Sequence, residues 1–437
     1  MSLRHCAPVV LVITLAACQR TAPPPAPSPA AATTAAPAQA DTVSDGDIAD
    51  AYAYLLARLL VLRQQHEDFE RGHFTWNTLV HRTPRGPAWT LPDPAMLHSE
   101  AWIAVDPQAC VRLDVPAGQL PWNWQMVDGW GETIVDIDEQ AFAKQGGTYA
   151  FCLRGAQADV PQGAARIDLP VRTARALLRV TAGDDATAAR STQHAFRLAP
   201  LGAIRTETPP PVRDFDPNAL PRVEAFDDAT RILDSAPDRN VAMAGNAAKV
   251  RAVAKSVATD AQARRRVDKV ILSLAWPQLH DLASLGEERN GWWRPDPPDT
   301  WGGDAHQRTY ANLLGIRPRA AREIGWGRRI DGDRPMTLTF PKGALPASGA
   351  SLAWSIAVED PNPGRRRDRD VITSHDTLAR APDGTLVIAV GPTLPRGVRP
   401  SNWLRTEAVG RSNLTLRLYR PTASARALVP PPLVMQP

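Results

Sequence analysis

Trp122-Asn123-Trp124-Gln125-Met126-Val127-Asp128-Gly129-Trp130 begins by alternating large apolar side chains with polar ones. Successive side chains of an extended chain point to opposite faces, so Trp122, Trp124, Met126, Asp128 and Trp130 would share one face of a strand. This face has two readings. Indoles beside a carboxylate can make a saccharide platform, the rings covering apolar sugar faces while the acid accepts hydroxyl protons. Alternatively, the indoles fill a core and Asp128 ends the strand in a turn. Outward from this stretch the pattern repeats. Residues 102–105, 110–115, 134–137 and 149–153 are short β-prone runs separated by Pro and Gly, and together they predict a β-sandwich over residues 75–200.

Upstream, Ser44 with Asp47 three residues on marks a helix start, the serine capping free N–H groups and the acid favouring the positive end. Ile48, Tyr52, Leu55, Leu56, Leu59 and Leu62 then recur at helical spacing and predict a single apolar stripe. Downstream, residues 198–220 are Pro-rich and read as a connection. Helical signals occupy 223–324, with an Ala/Val-rich run over 241–274 that Pro277 interrupts. Asp304 and Arg308 stand at the i,i+4 spacing of a helical ion pair. After Asp331-Gly332-Asp333, strand patterns return at 336–340, 351–358, 385–390 and 413–419. The expected fold is therefore mainly β with a helical middle segment. The expected divisions are an N-terminal helix plus β-sandwich (44–221), a helical domain (222–330) and a second β-rich domain (331–437).

Composition narrows the function. Of 437 residues, 43% are hydrophobic and 22% charged, enough apolar matter for packed cores. A net charge of +4 argues against a nucleic-acid binder, and Arg264–Arg266 and Arg365–Arg367 lack the interleaved aromatics of a single-strand groove. The chain opens with a short positive start and an apolar run over 7–17, too short for the roughly 20 residues that cross a bilayer. Leu15-Ala16-Ala17-Cys18 resembles a bacterial lipobox, with residues 1–17 as signal peptide, Cys18 as the lipidated residue and 18–43 as an Ala/Pro-rich tether. The resemblance implies a membrane partner through the N-terminal lipid and a place in the cell envelope. Gln19, not an acid, follows Cys18 and points to the outer membrane, facing the periplasm. Cys110 and Cys152 are the cysteines left in the body, either bridged, as an oxidising envelope permits, or buried as free thiols.

Further motifs in the C-terminal third carry a family resemblance. Phe340, Leu345-Pro346, Ala353-Trp354-Ser355, Asp383-Gly384-Thr385, Asn402-Trp403-Leu404 and Arg417-Leu418-Tyr419-Arg420-Pro421 resemble the domain of unknown function numbered 1214. Ser99 to Trp102, Val115-Pro116, Gln125, Asp128 and Trp130 resemble its usual companion, numbered 1254. The resemblance implies an immunoglobulin-like N-terminal sandwich, a small α-helical domain and a jelly-roll-like C-terminal sandwich. It also implies homo-oligomers, and it brings no established reaction. The chain departs from the family at Pro92-Asp93-Pro94-Ala95-Met96-Leu97-His98, which lacks the amide and hydroxyl groups of the family's Asn-rich loop, and at Arg405, which replaces a proline.

Chemical motifs are sparse. Asn402-Trp403 either caps a second cleft or holds a loop. Gly349-Ala350-Ser351-Leu352-Ala353 half-matches an esterase elbow but lacks the second Gly and runs on as a strand, so Ser351 reads as a strand residue. The nine histidines are scattered without His-Glu-x-x-His, and Asp136-Ile137-Asp138-Glu139 lacks the Gly and terminal Glu of a calcium loop, so neither metal nor cofactor is expected. The expectation is a non-catalytic envelope lipoprotein that binds a glycan or small molecule, or serves assembly. Its candidate ligand-binding residues are Trp122, Trp124, Asp128, Trp130, Asn402 and Trp403. The alternative is an envelope hydrolase using carboxylates such as Asp128 and Asp360 in an inter-domain cleft.

Overall fold

The computed structural model describes residues 43–82, 96–118, 120–142, 145–181, 185–216, 219–279, 286–295, 301–313, 323–345, 353–359, 371–407, 410–419, 421 and 427–436. The lipobox, Cys18 and the tether lie outside the described residues, as do Ser351 and Asp360. Residues 43–437 form one compact unit.

Helix α1 (Asp45–Glu70) starts where the sequence predicts, the Ser44 side chain accepting from the Asp47 backbone N–H. It does not present one apolar stripe. Ala49, Ala51, Ala53 and Ala57 are as buried as Leu55 and Leu56, so that α1 is covered on nearly every side. Small side chains let neighbouring helices approach closely, and a stripe drawn through the large residues alone misses those contacts.

Two antiparallel-rich sheets make the N-terminal sandwich. Its strands are β1 (Val80–His81), β2 (Met96–Ala104), β3 (Cys110–Val115), β4 (Trp122–Val127), β5 (Thr133–Asp138), β6 (Gly147–Leu153), β7 (Ala165–Leu169), β8 (Thr173–Thr181) and β9 (Arg197–Leu201). Among the described residues they pair in the orders β1-β2-β8-β4-β5 and β7-β6-β3-β9. Helix α2 (Ala186–Ala195), capped by Asp185, joins β8 to β9. Trp122, Trp124 and Met126 point into the core between the sheets with Leu113, Tyr149 and Phe151, and Trp124 stacks on Phe151 at 6.0 Å. Register places Cys110 opposite Cys152 across β3 and β6, with Cα atoms 4.4 Å apart, and a disulfide joins them.

The helical layer comprises α3 (Ala229–Asp234), α4 (Ala244–Thr259), α5 (Ala261–Val270), a π-helical turn (Ile271–Ala275), α6 (Trp276–Leu279) and α7 (Ala305–Leu313). Helix α1 is the axis of this layer. Its Tyr52, Leu55 and Leu59 share one core with Val250, Ile271 and Leu313, so α1 belongs here and not with the sandwich as the sequence division had it. Residues 286–295 and 323–330, expected within the helical domain, are mostly strand. There β10 (Gly286–Arg289), β11 (Trp292–Pro295) and β12 (Glu323–Asp331) join the C-terminal sheet β10-β11-β12-β18-β14-β15. The rest of that sheet is β14 (Ala353–Glu359), β15 (Val371–Thr373) and β18 (Arg411–Tyr419). It packs through Trp326, Ile356 and Leu416 on the sheet β17-β16-β13-β19, made of β13 (Met336–Phe340), β16 (Leu386–Gly391), β17 (Trp403–Arg405) and β19 (Val434–Met435). The molecule is mainly β, two sandwiches with a helical middle.

Candidate functional site

Strand β4 ends at Val127, where a register shift between Met126 and Val127 breaks the alternation. A bulge bends the strand and re-aims the side chains beyond it. Asp128 therefore leaves the shared face and organises a turn, its Oδ1 accepting the Trp130 N–H at 2.8 Å and the Glu132 N–H at 3.1 Å. Gly131 has φ +86°, and a Cβ there would meet Asn312 Oδ1 at 2.4 Å, so the turn tolerates only glycine. The turn carries Trp130 out of the sandwich and into the helical core, where its ring lies 4.6 Å from that of Tyr54 and its N–H donates to Ala236 O.

Buried charge surrounds this plug. The Arg308 guanidinium, fully buried, lies 5.1 Å from the ring centroids of both Tyr54 and Trp130, and Nη1 bonds Asp238 Oδ2 at 2.8 Å and Glu132 Oε1 at 3.3 Å. The helical pairing expected with Asp304 is thus replaced by a tertiary one. Asn240 donates to the same Glu132 oxygen at 2.9 Å. On the other side Arg58, from α1, donates to Gly129 O at 2.9 Å and Ser235 Oγ at 3.0 Å. Burial pushes the Arg58 guanidinium down to about 10 although the Asp128 carboxylate opposes the shift. Burial likewise raises the Asp128 carboxyl to about 7, against the two backbone N–H groups that favour its charged form. That affinity suits acid–base chemistry, but Asp128 is 1% exposed and one oxygen holds the turn. The arrangement keys the sandwich to the helical layer, and its Asp128 is sealed from any substrate.

Trp122, Trp124, Asp128 and Trp130 therefore form no ligand platform. Two indoles close the sandwich core, the third anchors the helical core, and the acid shapes the turn between them. Asn402 is a loop holder. Its Oδ1 accepts from Ala379 N and Ser401 Oγ, both at 2.9 Å, and Nδ2 donates to Ala379 O at 2.7 Å and Val387 O at 2.9 Å, which leaves it no group for a ligand. Trp403 N–H donates to Gly391 O at 3.0 Å, tying β17 to β16. Among the described residues no cluster of His, Cys, Asp and Glu is placed to hold a metal ion, and no helix is long and apolar enough to cross a membrane.

An open cleft of about 1010 Å3 lies directly over the Arg58 side of this network. Arg58, Gln65 and Ser235 line it beside the partly exposed indole of Trp76 and Thr173 of the sandwich, and α4 contributes Arg251, Ala254, Lys255 and Ala258. A further wall is the Pro-rich connection, Glu207-Thr208-Pro209-Pro210, strapped to α1 by His66 Nε2 at 3.0 Å from Pro210 O. Ion pairs Arg251–Asp234 at 2.6 Å and Arg231–Asp228 at 2.9 Å border it. Sequence reasoning missed this site because its walls come from four separate stretches, 58–76, 173, 207–235 and 251–258, that only folding brings together; the Pro-rich run was the visible signal, and it read only as a connection.

A search of curated proteins finds no match. The crystal structure of a Vibrio parahaemolyticus protein is similar at 14% identity and TM-score 0.56, covering 90% of this chain and 100% of that one, a likeness of fold. A putative uncharacterised protein from Burkholderia cenocepacia aligns at 12% identity and TM-score 0.45, over 90% of this chain and 92% of that one. Family models described as Protein of unknown function (DUF1254) and Protein of unknown function (DUF1214) match residues 76–200 and 320–423. The first spans the N-terminal sandwich through β9 and the second the C-terminal strands from β12 through β18, so this chain belongs to the family that carries DUF1254 followed by DUF1214.

Proposed function

We propose that this protein is a lipid-anchored component of the bacterial cell envelope, held at the outer membrane and facing the periplasm, that captures a small ligand in the Arg58 cleft without transforming it. The cleft carries the reading. At about 1010 Å3 it stands at the upper end of small-molecule sites, and it combines apolar wall with spaced polar groups. The lipobox, the tether and a disulfide suited to an oxidising compartment support the location.

A thermal-shift library of sugars, amino acids, nucleosides and organic acids tests the capture, because a ligand that binds only the folded state raises the unfolding midpoint. Ala258 is exposed on α4 and lines the cleft, so Ala258→Trp fills the space without touching a core. The expected result is a shift with one ligand class that Ala258→Trp abolishes. A shift unchanged in the variant, or none with any class, overturns the reading. For the anchor, labelling of growing cells with radioactive palmitate is expected to mark the wild type and not Cys18→Ala; no label in the wild type, or equal label in the variant, refutes lipidation at Cys18.

A further inference from the structure

The chemistry of the cleft lining names a ligand class, an inference that rests on the capture reading above. Four cations, Arg58, Arg231, Arg251 and Lys255, line it together with four carboxylates, Glu207, Asp227, Asp228 and Asp234. Cations and carboxylates are equal in number along the walls, and Asp227 and Glu207 also meet Arg264 and Arg172, so the lining presents mixed charge and not a patch of one sign. Nor does the lining suit a purely apolar guest, which would strip water from those charged groups without replacing their hydrogen bonds.

What remains on the walls matches a polyhydroxylated, uncharged molecule. Trp76 offers a partly exposed indole held by its neighbours, its ring 5.0 Å from that of Phe69 and its backbone bridged to Trp102. An indole held in this way presents a flat apolar face to the C–H side of a sugar ring. The pairs Arg251–Asp234 and Arg231–Asp228 are roughly half exposed, 46%/61% and 45%/53%, so their outer lone pairs and N–H groups stay open to solvent. Each pair places N–H donors beside carboxylate acceptors, which suits neighbouring hydroxyls that both give and receive a proton. Gln65, Thr208 and Thr230 add neutral amide and hydroxyl partners. The cleft is open and too large for one ring.

We infer that the cleft binds a neutral oligosaccharide, with Trp76 as the stacking surface and the Arg251–Asp234 and Arg231–Asp228 pairs as hydroxyl partners. The saccharide platform expected at Trp122–Trp130 is thereby moved to an indole that solvent can reach.

Calorimetric titration of the full chain with maltotriose, cellotriose and chitotriose, and with citrate and adenosine monophosphate as charged probes, tests it. At least one trisaccharide is expected to bind, at least tenfold more weakly to Trp76→Leu and severalfold more weakly to Arg251→Ala. Trp76 packs on Phe69 and could be needed for folding, whereas Arg251 sits at the surface, so Arg251→Ala keeps the test decisive if Trp76→Leu unfolds. Binding of a charged probe alone, abolished by Ala258→Trp, would keep the cleft and overturn the saccharide. Trisaccharide binding insensitive to Trp76→Leu, Arg251→Ala and Ala258→Trp overturns the site. No binding by any probe overturns the oligosaccharide, and the broader library decides whether the capture reading falls with it.

Discussion

Asp128→Asn should remove a pH dependence that the folded protein owes to one carboxyl group. In the fold Asp128 holds its proton up to about 7, against an ordinary value of 3.8, and burial is the main cause. Between these values the folded chain keeps a proton that the unfolded chain has released, so stability falls as pH rises from about 4 through 7. At ~1.4 kcal/mol per tenfold change in proton affinity, the opposition to folding above pH 7 is roughly 4 kcal/mol. Asparagine retains the Oδ1 acceptor used by the Trp130 and Glu132 N–H groups and carries no charge. The variant should therefore match the wild type near pH 4 and exceed it at pH 8, the gap growing toward roughly 4 kcal/mol. Urea unfolding of both proteins at several pH values, followed by tryptophan fluorescence, reads the difference directly, since all other titrating groups are common to the two. A gap that stays constant from pH 4 to pH 8 would refute the assignment of this burden to Asp128.

Arg308→Met should destabilise the protein by about 3–5 kcal/mol, because Glu132 and Asp238 would keep buried charges without their cation; urea midpoints check this, and a loss under ~1 kcal/mol would contradict it. Reducing the Cys110–Cys152 bridge, which spans 42 residues, should cost about 4 kcal/mol by loop entropy, read from unfolding with and without reductant. His81 sits 4.0 Å from the His194 ring, with its Nδ1 2.8 Å from Ser99 Oγ. Burial, then His194 of α2 and Arg197 of β9, hold it below its ordinary 6.5. Its neutral form contributes stability above pH 6.5 that is lost as pH falls below it, so amide exchange at Val80, His81 and along α2, corrected for intrinsic rate, should quicken at pH 5.5 relative to pH 7.5. Exchange unchanged between the two pH values would sink that assignment.

The strands were largely legible because alternation is a property of adjacent residues. Trp122, Trp124 and Met126 lie on one face, as their period of two requires. Ser44 caps α1 through a contact three residues away. The order of sandwich, helices and sandwich followed from the same local signals. Identity of the covering layer did not. A period identifies the apolar face without naming what packs on it, so a core face and a ligand platform look alike until the second sheet places Phe151 against Trp124. A one-residue irregularity sends Trp130 to a different core from Trp124. The alanines of α1 are contact surface because helices from residues 229–313 close on them. Arg308 finds its partners 176 and 70 residues away, beyond any spacing rule. Local sequence determined many of the strands and the main helices, since those preferences act within a few residues, but it misread β10, β11 and β12 as part of the helical stretch. Tertiary structure decided which charges are sealed and which indole meets solvent, since burial depends on residues that only folding brings together.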